Sequence, residues 1–216
     1  RQRQMCIRDR FRDLGVQQIV SGGQTMNPST EDILHAAEQV PAMDVYVLPN
    51  NKNIVMAAEQ AARLARTSGV RRIHVVPTTT IPQGISAMMA YDESAEIKDN
   101  VEAMQEAASR VQSGSVTFAA RDSDYDGHQI KEGELLALEN GKVAFTGTDL
   151  GSVTAKVAKD LMREDSQFIT LLYGADVSEE QAADVEEAVR SLLPEEVELT
   201  VAYGGQPVYY FLISVE

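Results

Sequence analysis

Residues 45–68 of this 216-residue chain read VYVLPNNKNIVMAAEQAARLARTS and carry the clearest structural pattern in the sequence. Residues 45–48 form a short apolar run that is typical of a buried strand. From residue 53 to residue 68, apolar side chains recur at three- and four-residue spacing, which predicts an amphipathic helix. This stripe consists of Ile54, Ala57, Ala58, Ala61 and Ala65. A strand followed directly by a helix is the repeating unit of an α/β fold.

The same order of strand and helix occurs on both sides of this stretch. Two further units are predicted, with strands at 16–20 and 73–76 and helices at 29–39, 85–90 and 94–112. Repetition of this order indicates βαβ units on a parallel sheet. We therefore expect an α/β fold whose first lobe, residues 11–112, has a parallel sheet flanked by helices.

The pattern changes after residue 113, where short strands become frequent. Strands are predicted at 116–120, 134–138, 142–145, 168–173, 197–202 and 208–215, and helices at 149–162 and 178–193. The pair Asn140-Gly141 separates two of these strands and favours a tight hairpin turn. These elements predict a second α/β lobe, residues 113–216. Because no low-complexity linker separates the lobes, we expect them to pack together.

The first ten residues, RQRQMCIRDR, differ in character from the rest of the chain. They hold four arginines against one aspartate, whereas the whole chain carries a formal charge of −14. They show no periodicity that would pack them on a core. Residues 1–10 resemble translated sequencing-adapter sequence, so we expect a non-native segment outside the fold. The alternative is a genuine basic tail.

Composition excludes several classes of function. A charge of −14 disfavours binding to nucleic acid or to an anionic membrane, since both attract clusters of Lys and Arg. Apart from Cys6 the chain has no cysteine, which excludes disulfides and thiolate metal sites from residues 11–216. The sequence has no apolar run long enough to span a membrane and no signal-peptide pattern, so we expect a cytoplasmic location.

Candidate binding residues follow each strand of the first lobe. Loops after parallel strands open on one edge of the sheet, where ligands of such folds bind. The candidates are Gly22, Gly23, Gln24, Thr25, Asn27, Asn50, Asn51, Asn53, Thr78, Thr79 and Thr80. Together with helix N-termini they suit an anion or an acidic loop of a partner. The alternative is purely structural: the glycines allow a sharp turn, and Asn27 or Ser29 caps a helix.

A second glycine pair precedes the last strand, in the sequence YGGQPVYYFLISVE. Gly204 and Gly205 are expected to form a turn between two strands, with Gln206 beside them. An interface role for these three residues is the alternative.

No pattern of a catalytic or metal site emerges. Asp122, Asp124 and Asp126 precede Gly127 as in a calcium loop, but Gly133 stands where that loop needs a bidentate Glu. A solvated turn is therefore the favoured interpretation. The three histidines, His35, His74 and His128, lack the spacing of a zinc site, and no nucleophile motif is present. We expect no catalytic residue and no bound metal.

Five stretches together resemble a known family. They are GVQQIVSGGQTMNPSTEDIL, VLPNNKNIVMAAEQAA, VVPTTTIPQGISAMMAYD, RDSDYDGHQIKEGE and YGGQPVYYFLISVE. In this order they are similar to the C-terminal region of the bacterial fatty acid kinase ATP-binding subunit, of the dihydroxyacetone-kinase-like family. The resemblance runs from residue 11 to residue 216 and implies a DegV-like fold.

The resemblance also implies a function. In that family an N-terminal domain binds ATP and Mg²⁺, and this chain lacks such a domain, so we expect no cofactor here and no kinase activity by the chain alone. The expected partners are the chain's own N-terminal kinase domain and a DegV-like fatty-acid-binding subunit. The implied role is docking, in support of fatty acid phosphorylation for phospholipid synthesis. The Thr-Ser motif with which DegV-like proteins hold a fatty acid carboxylate is not intact in GGQTMNPST or PTTT.

Two other functions remain open at this point. One is a free-standing DegV-type protein that binds a fatty acid or another small ligand. The other is an independent enzyme, which the missing nucleophile and metal patterns disfavour. The sequence also leaves a homodimer open.

Overall fold

A computed structural model describes residues 6–21, 27–125 and 128–216. The chain divides into two compact units. One unit comprises residues 8–110, and the other comprises residues 111–216 together with the N-terminal residues up to Ile7. Within the described residues, no helix is both long and apolar enough to cross a membrane.

The unit of residues 8–110 contains a small parallel sheet. Its helices and strands are α1 (Ile7–Asp13, which begins one residue before the unit), α2 (Thr30–Gln39), β1 (Asp44–Val47), α3 (Lys52–Ser68), β2 (Arg72–Val75), α4 (Ile81–Met89) and α5 (Ile97–Arg110). β1 and β2 run parallel, with Asp44 opposite Arg72 and Val47 opposite Val75. The connection from β1 through α3 to β2 is the βαβ unit that the sequence predicts.

Helices cover both faces of this sheet. Val45 and Ile73 point to one face, where they pack with buried residues of α2 and α3. Tyr46 and Leu48 point to the other face and pack against Met104 of α5 and its neighbours on α4. Parallel sheets require such cover on both sides, because their strands are apolar on both faces.

Two expectations about the N-terminal part of the chain are corrected. Residues 16–20 form no strand, although their composition predicts one. A strand exists only where its backbone finds a hydrogen-bonding partner, and no described strand pairs with this run. The segment 1–10 is not wholly outside the fold, since α1 begins at Ile7. Ile7 and Phe11 lie one helical turn apart and are both buried.

The second unit is built on one mixed sheet. Its elements are β3 (Gln112–Phe118), β4 (Ser123–Tyr125), β5 (His128–Ile130), β6 (Leu135–Glu139), β7 (Lys142–Gly147), α6 (Leu150–Leu161), β8 (Phe168–Tyr173), α7 (Glu179–Arg190), β9 (Glu198–Tyr203) and β10 (Tyr209–Val215). Six strands form a sheet in the order β7-β6-β3-β10-β8-β9, and β4 pairs with β5 separately. Only the β8–β9 pair of the large sheet is parallel.

Helices α6 and α7 pack on this sheet through a continuous apolar core. Phe211, Ile213 and Val215 of β10 contribute to it from the sheet, and Val157 and Val189 contribute from the two helices. Asn140 and Gly141 both have positive φ, 47° and 80°, between β6 and β7. The hairpin predicted at this pair is therefore present, in the geometry that such a two-residue turn requires.

Candidate functional site

The loops after β1 and β2 are joined by Asn50 and Thr78. Thr78 is almost completely buried, and its hydroxyl donates to Oδ1 of Asn50 at 2.7 Å. The same hydroxyl accepts a hydrogen bond from the Asn50 backbone N–H at 3.1 Å. Asn50 adopts a left-handed φ of 54°, a conformation that Asn tolerates better than most residues. The two residues therefore satisfy each other's polar groups at the edge of the sheet.

Asn51 begins helix α3. Its side-chain oxygen accepts a hydrogen bond from the backbone N–H of Asn53 at 2.9 Å, which makes it the N-cap. The cap fixes the direction in which α3 leaves the loop. The side chain of Asn53 is exposed and is available to a partner.

Helix α4 begins four residues earlier than the sequence predicts. Thr80 is its N-cap and accepts from the backbone N–H of Gln83 at 3.3 Å. The Gln83 side chain in turn accepts from the backbone N–H and the hydroxyl of Thr79, at 2.8 and 2.9 Å. Pro82 lies in the first turn, where its missing N–H costs nothing. The Pro and Gly of PTTTIPQG thus belong to the helix, although the sequence suggested a break.

Asn50 also packs directly on the first turns of α4. A Cβ atom at Gly84 would lie 2.1 Å from Oδ1 of Asn50 and 2.6 Å from its Cγ. Only glycine admits this contact, because such distances are far inside van der Waals contact. Asn50, Thr78 and Gly84 therefore form a rigid polar junction between the two loops.

The third candidate loop is only partly described. Gly22, Gly23, Gln24 and Thr25 lie outside the described residues. Asn27 is exposed. Ser29 caps α2 in a capping box with Asp32, and hydrogen bonds from the Ser29 backbone and hydroxyl lower the pKa of the Asp32 carboxyl. Of the two caps that the sequence offered, Ser29 is the one used, and Asp fills the role usually taken by Glu or Gln.

The second glycine pair lies in the other unit. Gln206 is 8% exposed, and its side-chain N–H groups donate to the backbone oxygens of Leu172 at 2.8 Å and Tyr209 at 3.3 Å. A Cβ at Gly204 would lie 2.0 Å from Oε1 of Gln206, and Gly205 has a φ of 67°. The loop connects β9 to β10, which are not neighbours, because β8 lies between them. Gly204, Gly205 and Gln206 therefore hold a crossing connection together.

Sequence reasoning missed a charged cluster at the start of β1 and β2. Asp44 accepts two hydrogen bonds from Arg72, at 2.5 and 2.8 Å, and lies 2.8 Å from Nε2 of His74. The hydrogen bond from Arg72, followed by that from His74, lowers the pKa of Asp44 to about 2. The signal was available, since Arg72 and His74 alternate along one strand and so share a face.

The remaining acidic loop shows no ligand set. Asp122 accepts a hydrogen bond from the backbone N–H of Glu132 at 2.7 Å, while Asp126 and Gly127 are not among the described residues. Across residues 6–21, 27–125 and 128–216, no group of three His, Cys, Asp or Glu side chains could hold a metal ion. The described polar residues of the loops can therefore donate and accept hydrogen bonds to a partner.

Comparison with known proteins places these observations in a family context. The FakA-like family model, which describes the C-terminal region of one kind of fatty acid kinase chain, matches residues 4–216. An uncharacterized protein of Staphylococcus haemolyticus is 42% identical over 210 residues, which are 97% of this chain and 37% of that protein. The chain thus spans little more than a third of the length of this relative.

Solved structures show the same fold at low sequence identity. Dihydroxyacetone kinase from C. freundii, in complex with AMP-PNP and Mg²⁺, matches with a TM-score of 0.65 and 15% identity, over 88% of this chain and 42% of the kinase. A DegV family protein from Corynebacterium glutamicum matches with a TM-score of 0.60 and 15% identity, over 88% and 81%. The fatty acid kinase B3 protein of Streptococcus pneumoniae, loaded with linoleic acid, matches with a TM-score of 0.58 and 14% identity, over 88% and 76%. The expected DegV-like α/β fold is confirmed.

Proposed function

This chain belongs to the FakA-like family of fatty acid kinase C-terminal regions, and from that membership we propose that it is the partner-docking region of a fatty acid kinase. It binds the acyl-carrying DegV-like subunit of the kinase. In this way it supports ATP-dependent phosphorylation of a fatty acid, which supplies phospholipid synthesis in the cytoplasm.

One observation carries this proposal. The family match covers nearly the whole chain, and the chain shares its fold with a fatty acid kinase protein that was solved with linoleic acid. Two domains of one fold can associate as the copies of a homodimer do, through related surfaces. A docking role between two domains of DegV-like fold is consistent with this geometry.

The polar loops at the edge of the β1–β2 sheet are the proposed contact surface. Asn27 and Asn53 are exposed there, as is Thr79. The N-termini of α3 and α4 lie in the same loops and favour an acidic group, since helix N-termini carry partial positive charge. The buried Asn50–Thr78 junction beneath them keeps this surface in one conformation.

Catalysis is assigned to the rest of the longer protein. The chain spans 37% of the length of its Staphylococcus haemolyticus relative, which leaves room for another domain there. We assign ATP and Mg²⁺ to an N-terminal kinase domain, which is also a partner of this chain. No catalytic residue is assigned to residues 6–216.

Binding of the purified chain to a DegV-like fatty-acid-binding protein tests the proposal. Saturable binding is expected by surface plasmon resonance, and the double variant Asn27→Ala, Asn51→Ser should weaken it at least tenfold. Ser at position 51 still caps α3, so folding is retained. Gln167→Ala, an exposed change in the other unit, serves as the control and should leave affinity unchanged. Absence of saturable binding by the unaltered chain would overturn the docking role.

A DegV-type lipid-binding protein is the second candidate. The fold shared with the linoleic-acid-loaded protein favours it. Against it, the larger depression in residues 8–110 has a volume of about 410 Å³ and is an open groove with charged lining, and the smaller is about 10 Å³. Acyl chains are held in enclosed apolar sites. Fatty acid retained by the purified chain in native mass spectrometry would establish this second function and contradict a role in docking alone.

A further inference from the structure

An open groove of about 410 Å³ runs beside strand β2. Its lining comes from three elements, namely Glu59, Ala62, Arg63 and Arg66 of α3, Ile73, His74 and Val75 of β2, and Val101 of α5. No residue of β1 lines it. The groove therefore lies along the edge of β2 that is turned away from β1.

The backbone of β2 is unpaired along this edge. The N–H of Arg72 donates to the oxygen of Met43 at 2.9 Å, and that of Val76 donates to the oxygen of Val47 at 3.0 Å. In a parallel pair alternate residues bond to the same neighbour, so the N–H and C=O of Ile73 and Val75 point away from β1. In the described part of the sheet β2 has β1 as its one neighbour. An unpaired row of this kind can receive another strand.

The groove is also the basic region of an acidic protein. Residues 60–76 contain four arginines and no Asp or Glu, in a chain of formal charge −14. Two of the four are engaged elsewhere, because Arg71 donates to backbone oxygens at the end of α2 and Arg72 binds Asp44. Arg63 and Arg66 line the groove, and within the described chain no side-chain partner of Arg66 is found. Their charge is opposed by the single acid Glu59.

The two walls of the groove differ in chemistry. Helix α3 lies on one face of the sheet and contributes both arginines, whereas α5 lies on the other face and contributes Val101. Side chains of a strand alternate between the two faces. A strand added to β2 would therefore present every second side chain to the arginines and the others to the apolar wall.

We propose that this groove binds an extended segment of a partner protein in which acidic and apolar residues alternate, and that the segment joins β2 as a third strand. The backbone hydrogen bonds of Ile73 and Val75 provide affinity, and Arg63 and Arg66 select the acidic side chains. A small anion alone would not use the strand edge. The proposal does not depend on docking of a DegV-like subunit, since it involves none of the polar loop residues.

A synthetic peptide of about six residues, alternating Glu and Val with blocked termini, matches the length of β2 with one residue to spare at each end. Isothermal titration of the full chain with this peptide should show saturable binding. A Lys-Val peptide of the same length should bind at least tenfold more weakly. The Glu-Val peptide N-methylated at alternate residues should also bind at least tenfold more weakly, because it cannot pair with the edge. Hydrogen exchange at the amides of Ile73 and Val75 should slow when the unmodified peptide binds.

Variants of the protein separate the groove from general charge effects. The double variant Arg63→Gln, Arg66→Gln should lower affinity at least tenfold, while Arg163→Gln in the other unit should change it less than twofold. Absence of saturable binding overturns the proposal. Equal binding of the N-methylated peptide, or full displacement of the peptide by tripolyphosphate with unchanged exchange at Ile73 and Val75, would instead reveal a simple anion site and refute strand addition.

Discussion

The hydroxyl of Thr78 lies 2.7 Å from Oδ1 of Asn50 and 3.1 Å from its backbone nitrogen, so one buried side chain links the loops that follow β1 and β2. The two residues are separated by 28 positions in the sequence. A buried polar atom is costly when it lacks a partner. This pair therefore stabilises both loops at once and fixes the surface that we propose for docking.

Replacement of Thr78 by Val tests the energetic weight of this link. Val has nearly the same shape but leaves Oδ1 and the backbone N–H of Asn50 without their partner. The free energy of unfolding should fall by about 1–3 kcal/mol, measured by urea denaturation. The exposed neighbour provides the control, since Thr79→Val should cost no more than about 0.5 kcal/mol. Equal effects of the two changes would show that the buried hydrogen bonds contribute nothing particular.

Gly84→Ala tests the close packing of Asn50 on α4. In most helices this change stabilises by up to about 1 kcal/mol. Here the new Cβ would lie 2.1 Å from Oδ1 of Asn50, so we expect a loss of about 1–3 kcal/mol. The double variant Asn50→Gly, Gly84→Ala should cost less than the two single changes together, because no clash remains. Strict additivity in this cycle would contradict direct contact.

Val208 is strained and can be improved. It has a φ of 73° and is 42% exposed, and a β-branched residue rarely adopts this conformation. Val208→Asn should raise the free energy of unfolding by about 1 kcal/mol, since Asn tolerates left-handed backbone. The backbone oxygen of Val208, which accepts from the Thr117 hydroxyl at 2.6 Å, is retained. The same change at the exposed Val70, which has no positive φ, should alter the melting temperature little.

The Asp44 cluster predicts a dependence of stability on acid. The pKa of Asp44 is lowered to about 2 from a usual value of 3.8. A carboxyl group with a lowered folded-state pKa contributes stability that is present above its unfolded pKa and is lost as the pH falls through the folded value. The difference in melting temperature between the unaltered chain and Asp44→Asn should therefore be largest at neutral pH and shrink between about pH 4 and pH 2.

The control for this experiment is Asp165→Asn. Asp165 is exposed and forms no ion pair with any described residue. Its replacement should change the melting temperature little across the same range. A constant difference for Asp44→Asn from pH 7 to pH 2 would contradict the assigned role of its charge.

Much of the local structure was predictable from sequence. Helix α3 begins at Lys52, one residue from its predicted start, because an Asn cap and an apolar stripe both act over a few residues. The turn at Asn140 and Gly141 was predictable for the same reason, since two adjacent residues favour its dihedral angles. The family and the DegV-like fold were also predictable, and both are confirmed.

The candidate site was predictable in part. The sequence singled out Asn50, Asn51, Thr78 and Thr80 and expected their loops to share one edge of a sheet. The structure brings Asn50 and Thr78 into contact and makes Asn51 and Thr80 helix caps. The docking role of these loops and of the loop at Gly204 remains a prediction. The Asp44–Arg72 pair escaped notice because its members are 28 residues apart.

By itself the sequence determined where helices begin, where tight turns occur and to which family the chain belongs, because these depend on residues close together along the chain. Tertiary structure alone decided that residues 16–20 form no strand, that β8 separates β9 from β10, and that one edge of β2 stays open. Each of these depends on which distant segments meet. Strand pairing is a contact between backbones far apart in sequence, and side-chain patterns reveal an apolar face without naming its neighbour.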